Sequence, residues 1–237
     1  MRIEPAPPPS DEESLAGMGR RAAPDKRDQD YLLPKKRVSP LITKRYWTTR
    51  PPVLDQGGTS QCVIYALDKW LTTFPVYNVG FRTAADRTRV YKEVQKRDEW
   101  PGENYDGTSV RAGFKYLKEL GLCSEYRWAF DLSTVVSYVL STGPMELGTD
   151  WTMDMFMPDH NGYIWPTGRN AGGHAWLLKG VNLKRRNPNG TVGAGRLLNS
   201  WGDGWGENGM AWMTFETLER LIHDQGEAAV ATEVKMP

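Results

Sequence analysis

The sequence predicts an α+β chain of two lobes, in which a helical N-terminal lobe is followed by an antiparallel β-sheet or open barrel. Two patterns support this fold class. In the first half of the chain, apolar residues recur at the spacing of one helical face. From Met145 onward, short apolar or aromatic runs alternate with Gly, Asn and Asp, which is typical of short strands and turns. We expect a functional cleft between the two lobes.

Four helices are predicted in the first half. The first follows Ser60, a candidate N-cap, and ends before Pro75, and its apolar face runs from Val63 to Phe74. The other three are, in chain order, residues 83–96, residues 109–120 after a Thr108 cap, and residues 132–140 after Asp131. Together they define a helical lobe at about residues 55–142.

Five strands are predicted in the second half, and they define a β lobe at about residues 143–237. The runs are residues 163–165, 175–181, 196–199, 210–214 and 228–234. The two lobes form one domain that spans residues 41–237. Residues 1–40 are rich in proline and mixed charge, so we predict a disordered or extended polar tail there.

Composition narrows the classes of function. Apolar residues make up 39% and charged residues 25% of the 237, and the net charge of +1 favours neither nucleic acid nor an anionic membrane as partner. No apolar run approaches the roughly 18 residues that span a bilayer, and no secretory signal is visible, so we expect a cytoplasmic protein. Two cysteines do not form a disulfide framework.

Cys62 stands at the first turn of the first predicted helix. Unpaired N–H groups and the positive dipole end of a helix stabilise negative charge, so we expect the thiol pKa to lie below its usual value of about 8.5. The thiolate is the nucleophilic form, which makes Cys62 a candidate nucleophile. By position alone, a buried structural cysteine is the alternative.

Gln56 precedes Cys62, and Gly57 and Gly58 lie between them. These glycines allow a tight turn that returns the Gln56 amide over the thiol. A side-chain amide and the N–H of Cys62 would together form an oxyanion hole.

His174 and Asn199 are the candidates for base and orienting group. His174 follows two glycines at the start of an apolar strand, and Asn199 ends another strand. The Asn199 amide would accept a hydrogen bond from the imidazole and fix its tautomer, and Trp201 would cover that bond. The alternatives are a structural histidine and a Gly/Asn-rich turn with packing tryptophans.

Three segments resemble the papain-like cysteine peptidases: residues 56–62, residues 173–175 and residues 199–209, the last being the most specific. The resemblance covers roughly residues 41–234 and implies a papain-like two-lobe fold with the active site in the cleft. It implies Cys62 as nucleophile, His174 as base and acid, Asn199 as its orienting group and Gln56 in the oxyanion hole. It also implies Gly107 and Trp201 as substrate-binding positions.

The chain departs from the family pattern near the nucleophile. Thr59 replaces a cysteine that the family usually joins in a disulfide, and Gln61 and Val63 replace a small residue and an aromatic one. Cys123 therefore lacks its customary partner, and we predict a buried free thiol. The tail is too short and polar for the family's folded inhibitory pro-segment.

The resemblance implies a cysteine-type endopeptidase or exopeptidase that needs no cofactor and no metal. Its partner would be a peptide or protein substrate, with no role for nucleic acid or membrane, and the oligomeric state is left open. Two alternatives remain: a catalytically inactive binding module of this fold, and acyl transfer or hydrolysis on a non-protein amide such as peptidoglycan.

Overall fold

A computed structural model describes residues 17–100 and 104–234, and the seven strands of these residues form one antiparallel sheet. In chain order the strands are β1 (Lys44–Tyr46), β2 (Glu125–Trp128), β3 (Met145–Thr152), β4 (Asn170–Arg186), β5 (Val192–Leu198), β6 (Met210–Thr214) and β7 (Glu227–Thr232). The sheet order is β2-β7-β3-β4-β5-β6, and β1 pairs with β4. The long strand β4 thus pairs with three others and forms the centre of the sheet.

Five α-helices occur in the described residues: α1 (Cys62–Leu71), α2 (Ala84–Gln95), α3 (Val110–Glu119), α4 (Leu132–Ser141) and α5 (Phe215–His223). The expected caps of two helices are wrong. Helix α1 begins after Gln61 without a side-chain cap, and Ser109, not Thr108, caps α3 by accepting from the Ala112 N–H at 3.1 Å. None of the described helices has both the length and the apolar character to cross a membrane.

The sheet carries a separate core on each face. Alternate residues of a strand point to opposite faces. Ala175 and Leu177 of β4 accordingly pack with α1, α2 and α3, whereas Trp176 and Leu178 pack with α4 and α5. Helix α4, predicted in the helical lobe, therefore shares its core with the β lobe, because its apolar face meets α5 and the far side of the sheet.

Four of the predicted strands correspond to β4, β5, β6 and β7. The fifth, residues 163–165, is reduced to a single bridge between Tyr163 and Trp212. The ring of Tyr163 is buried beside Trp165, so its aromatic character reflects packing and not a strand.

Residues 17–40 differ from the predicted tail. Met18, Arg20 and Ala23 are buried, residues 26–31 form a 3₁₀ helix, and the Leu33 N–H donates to the Trp128 carbonyl at 2.7 Å. These residues are ordered because their few apolar and arginine side chains pack on, or form hydrogen bonds with, the rest of the domain. The tail prediction for residues 1–16 lies outside the described residues.

Candidate active site

Helix α1 places Cys62 against the centre of the sheet. Cys62 is its first residue, is fully buried, and belongs to the same core as Ala175 of β4. The thiol faces the backbone N–H groups of Ala175, Gly19 and Val63. Because Ala175 directly follows His174, the sulfur and the imidazole belong to the same small region of the molecule.

Neighbouring strands bring His174 and Asn199 together. His174 lies on β4 and Asn199 follows the end of β5, and the ring Nε2 lies 2.7 Å from Asn199 Oδ1. Two indole rings enclose this bond: Trp201, whose ring centre is 4.7 Å from that of the imidazole, and Trp151, at 4.9 Å. Trp201 therefore takes the covering position that the sequence predicts, and Trp151 is an addition that sequence reasoning missed.

The Gln56 side chain is fixed at both ends. Its Oε1 accepts a 2.6 Å hydrogen bond from the Ser200 hydroxyl, and its Nε2 donates to the carbonyl oxygens of Gly17 at 3.0 Å and Thr59 at 2.6 Å. Gln56 thus donates through its amide nitrogen to peptide carbonyls, which is the kind of contact that an oxyanion-hole group makes. Ser200 is not among the residues predicted from the sequence, although its position next to Asn199 indicates that it lies at the site.

A stretch of the chain's own N-terminal region fills the groove at this site. We call residues 17–21 the groove segment. Its Gly19 and Arg20 N–H groups both donate to the Gly173 carbonyl at 3.0 Å, and the Thr108 N–H donates to Gly19 at 2.9 Å. The groove segment therefore bridges a helical wall at the start of α3 and a sheet wall at β4. The groove segment belongs to the predicted tail, which we expected to be too short for an inhibitory pro-segment. It nonetheless reaches and covers the site.

Gly107 lines this groove, but its neighbour makes the backbone pairs. The Gly107 N–H is directed to the Tyr91 hydroxyl at 2.7 Å, whereas both the N–H and the carbonyl of Thr108 bond the groove segment. A Cβ atom at residue 107 would lie 2.4 Å from the Gly19 carbonyl oxygen, and φ there is +88°. Gly107 thus permits close approach, and Thr108 supplies the hydrogen bonds.

The closed groove keeps the thiol and the imidazole neutral. Burial raises the pKa of the Cys62 thiol to about 11. The backbone N–H groups of Ala175, Gly19 and Val63 lower this pKa, but their effect is smaller than that of burial. Burial also lowers the pKa of His174 to about 4, against its bond to Asn199, which raises it. The lowered thiol pKa expected from the helix N-terminus is therefore wrong for this arrangement, because desolvation outweighs the helix N–H groups.

Cys123 is a buried free thiol with no bridge to Cys62, as predicted. Burial raises its pKa to about 11, and only Lys118 lowers it. Cys123 packs in the α1–α3 core and is therefore a natural internal reference for the reactivity of Cys62.

Comparison with solved structures assigns the fold. Xylellain, a cysteine protease from Xylella fastidiosa, aligns with a TM-score of 0.71 and 21% identity over 94% of this chain and 98% of that one. Digestive procathepsin L2 from Tenebrio molitor larval midgut gives 0.57 and 18% over 94% and 81%. The bromelain protease from Ananas comosus, in complex with the E64 inhibitor, gives 0.53 and 14% over 80% and 98%.

Neither a protein-family sequence model nor a curated protein sequence matches the chain. The structural likeness shows the fold alone: this is the two-lobe, α+β fold of the papain-like cysteine proteases.

Proposed function

Starting from this papain-like fold, we propose that the chain is a cysteine peptidase that hydrolyses peptide bonds through Cys62. The observation that carries the proposal is the buried hydrogen bond between His174 Nε2 and Asn199 Oδ1, on a strand whose next residue, Ala175, directs its backbone N–H to the Cys62 thiol. That bond engages one ring nitrogen and leaves the other for the thiol proton. In the closed form the Gly17 backbone carbonyl of the groove segment also faces the ring and raises the pKa of His174, so the thiol gains this nitrogen once the groove segment leaves.

The reaction would proceed by acyl transfer. His174 takes the proton of the Cys62 thiol, and the sulfur attacks the substrate carbonyl carbon. As the C–N bond breaks, the imidazolium gives its proton to the leaving amine, and a thioester of Cys62 remains. Water, deprotonated by His174, then attacks the thioester, which releases the acid and restores the thiol.

Gln56 supports this mechanism because its Nε2 already donates to a peptide carbonyl, that of Gly17. In a substrate complex the same donor, with the Cys62 N–H at the start of α1, would stabilise the oxyanion of the tetrahedral intermediate. Asn199 keeps the imidazole in the required tautomer and orientation.

A peptide substrate is favoured over another amide because the groove holds a peptide here. The groove segment is a stretch of this chain that is hydrogen-bonded to Thr108 and Gly173 on opposite walls. A substrate would use the same backbone groups, so the groove segment has to leave before a substrate binds. The form described here is therefore latent.

One substitution opens the groove in the full chain. A Cβ atom on Gly19 would lie 2.1 Å from the Ser60 carbonyl oxygen, which is a backbone atom and has no rotamer with which to move away. Gly19→Val therefore prevents the groove segment from seating, and we call this the open variant.

The test of the function compares the open variant with the same protein carrying Cys62→Ala, on a mixed peptide library read by mass spectrometry. We expect cleavage by the open variant and loss to background without the thiol. Equal cleavage by both proteins, or cleavage by neither, overturns the proposal.

A further inference from the structure

A cavity of about 440 Å³ lies outside the groove, where the C-terminal ends of α1 and α4 approach the start of β2 and the end of β7. Trp70 on its wall stands about two helical turns after Cys62. The described residues that line the cavity include neither a proposed catalytic residue nor the groove segment. Pockets of roughly 300–1,000 Å³ commonly hold small molecules, so the cavity is a second candidate site of the protein.

The inner wall of the cavity is mostly apolar. Its side chains come from the N-terminal region, from α1 and the turn after it, from the turn after α4 and from β7: Leu33, Trp70, Pro75, Val76, Pro144 and Ala231. The indole N–H of Trp70 already donates to the Pro144 carbonyl at 3.2 Å, so this wall presents ring faces and aliphatic groups to the cavity. Water gains little from such a wall, and an apolar molecule that replaces the water is favoured.

Tyr138 of α4 brings an unsatisfied hydroxyl to this wall. The residue is buried, and a Cβ atom on Gly143 would lie 3.8 Å from its hydroxyl oxygen and 3.1 Å from Pro75 Cδ, which places the oxygen among the lining residues. Within the described part of the chain, no group is hydrogen-bonded to this hydroxyl, and burial alone raises the pKa of Tyr138 to about 12. The phenol therefore stays protonated, and an acceptor supplied by a ligand would satisfy it.

The charged residues of the cavity lie at its rim. Arg127 pairs with Glu125 at 2.7 Å, Glu233 accepts from the Ser124 hydroxyl, and Lys36 is exposed. These charges are paired or face water, and the apolar inner wall offers a ligand no counter-ion. Burying a charge without a partner is costly, so an uncharged ligand is favoured.

We propose that this cavity binds a small, uncharged aromatic compound whose carbonyl oxygen accepts a hydrogen bond from the Tyr138 hydroxyl. A flat ring system suits the wall because aromatic faces pack well against the indole of Trp70 and the rings of Pro75 and Pro144. The site does not depend on the peptidase function proposed above, because no proposed catalytic residue takes part in it.

The experiment uses the full chain and Prodan, a neutral dimethylamino-naphthyl ketone whose emission moves to shorter wavelength in apolar surroundings. Titration gives the dissociation constant for the unmodified chain and for Val76→Phe, which places a larger side chain in the cavity. Val192→Phe is the matched control, because Val192 is exposed on β5, away from the cavity. We expect saturable, blue-shifted emission that is at least tenfold weaker in affinity after Val76→Phe and unchanged after Val192→Phe. Thermal melts check that each variant is folded.

A second measurement tests the hydrogen bond to Tyr138. Methyl naphthyl ketone and ethylnaphthalene have nearly the same shape, but only the ketone carries an acceptor. Displacement of Prodan by each gives the ratio of their affinities. Tyr138→Phe should lower the ketone-to-hydrocarbon ratio by about 2- to 10-fold, the effect of one neutral hydrogen bond. Tyr116→Phe, on α3 and outside the lining, should leave the ratio unchanged.

Absence of blue-shifted emission with the unmodified chain overturns the proposal. So does binding that a folded Val76→Phe protein retains in full, because the ligand then lies elsewhere. A ketone-to-hydrocarbon ratio that is the same with and without the Tyr138 hydroxyl overturns it as well. None of these measurements uses peptide cleavage, so their outcome is separate from that of the proposed function.

Discussion

The Ser200 hydroxyl donates a 2.6 Å hydrogen bond to Gln56 Oε1, and both side chains are buried. A primary amide held by its oxygen can only present its nitrogen to the groove, so this bond fixes which end of Gln56 meets a carbonyl. Ser200 is thus a positioning residue for the proposed oxyanion hole and touches no reacting atom.

Replacing Gln56 is the first prediction. In the open variant, Gln56→Ala should reduce kcat by about 10²–10³-fold, the usual effect of losing one oxyanion-hole donor. Ser200→Ala should reduce kcat less, because the amide remains but loses its orientation. Steady-state kinetics on one peptide, with KM determined separately, checks this. Effects confined to KM would show that Gln56 binds substrate without stabilising the oxyanion.

Opening the groove should expose Cys62 to reagents. We expect the open variant to react with iodoacetamide at Cys62 at least tenfold faster than the unmodified chain, because the groove segment no longer covers the sulfur. Gly204→Val is the matched control, since nothing lies within 4 Å of a Cβ atom there. Peptide mapping reports both cysteines, and the rate at Cys123 should be the same in all three proteins. Unchanged labelling of Cys62 in the open variant would contradict the covering role of the groove segment.

The pH dependence of that alkylation tests the cause of the raised thiol pKa. Burial raises the pKa of Cys62 to about 11, so the thiolate fraction in the unmodified chain should keep growing up to that pH. In the open variant water reaches the sulfur, and the helix N-terminus then lowers the pKa. The rate should therefore level off at a lower pH. Superimposable profiles would mean that the groove segment does not desolvate the thiol.

Glu146 provides a prediction on stability. Its side chain is fully buried on β3, and within the described part of the chain neither carboxyl oxygen has a hydrogen-bond partner. Burial raises its pKa well above 4.5, and the charge of Glu227 adds to this effect. The unfolded chain releases this proton near pH 4.5, whereas the folded chain keeps it. Stability is therefore full below pH 4.5 and falls as the pH rises toward the folded pKa.

Glu146→Gln removes this titration. Relative to the variant, the unmodified chain should lose about 1.4 kcal/mol of unfolding free energy per pH unit above roughly pH 4.5, until the folded pKa is reached. Denaturant unfolding of both proteins at pH 4 and pH 8 measures the difference. If the difference in unfolding free energy between the two proteins is the same at both pH values, Glu146 does not titrate on unfolding.

The candidate residues of the site were predicted from short-range patterns. The glycines before Cys62 and His174, and the stretch that follows Asn199, lie within a few positions of the groups they serve. The same holds for helix α4, whose Asp131 cap accepts from Thr134 at 2.9 Å. Such local chemistry leaves a trace that can be read along the chain.

Pairings between distant residues left no such trace. Arg20 and Glu227 are 207 positions apart, and nothing near either one indicates the other. Strand β3 was not predicted either, because it is buried nearly throughout despite Glu146, Gly148 and Asp150, and so shows no alternation of polar and apolar residues. The assignment of α4 to a lobe likewise depends on which face of the sheet the helix packs against, and only tertiary packing determines that face.

The most direct measurement of the central claim is to trap the acyl-enzyme. The open variant is mixed with an activated peptide ester, quenched in acid within the first turnover, and digested for mass spectrometry. We expect an added acyl mass on Cys62 that is absent after His174→Ala, with Cys123 unmodified. Turnover of the ester with no adduct on Cys62, or with the acyl group on Cys123, would contradict it.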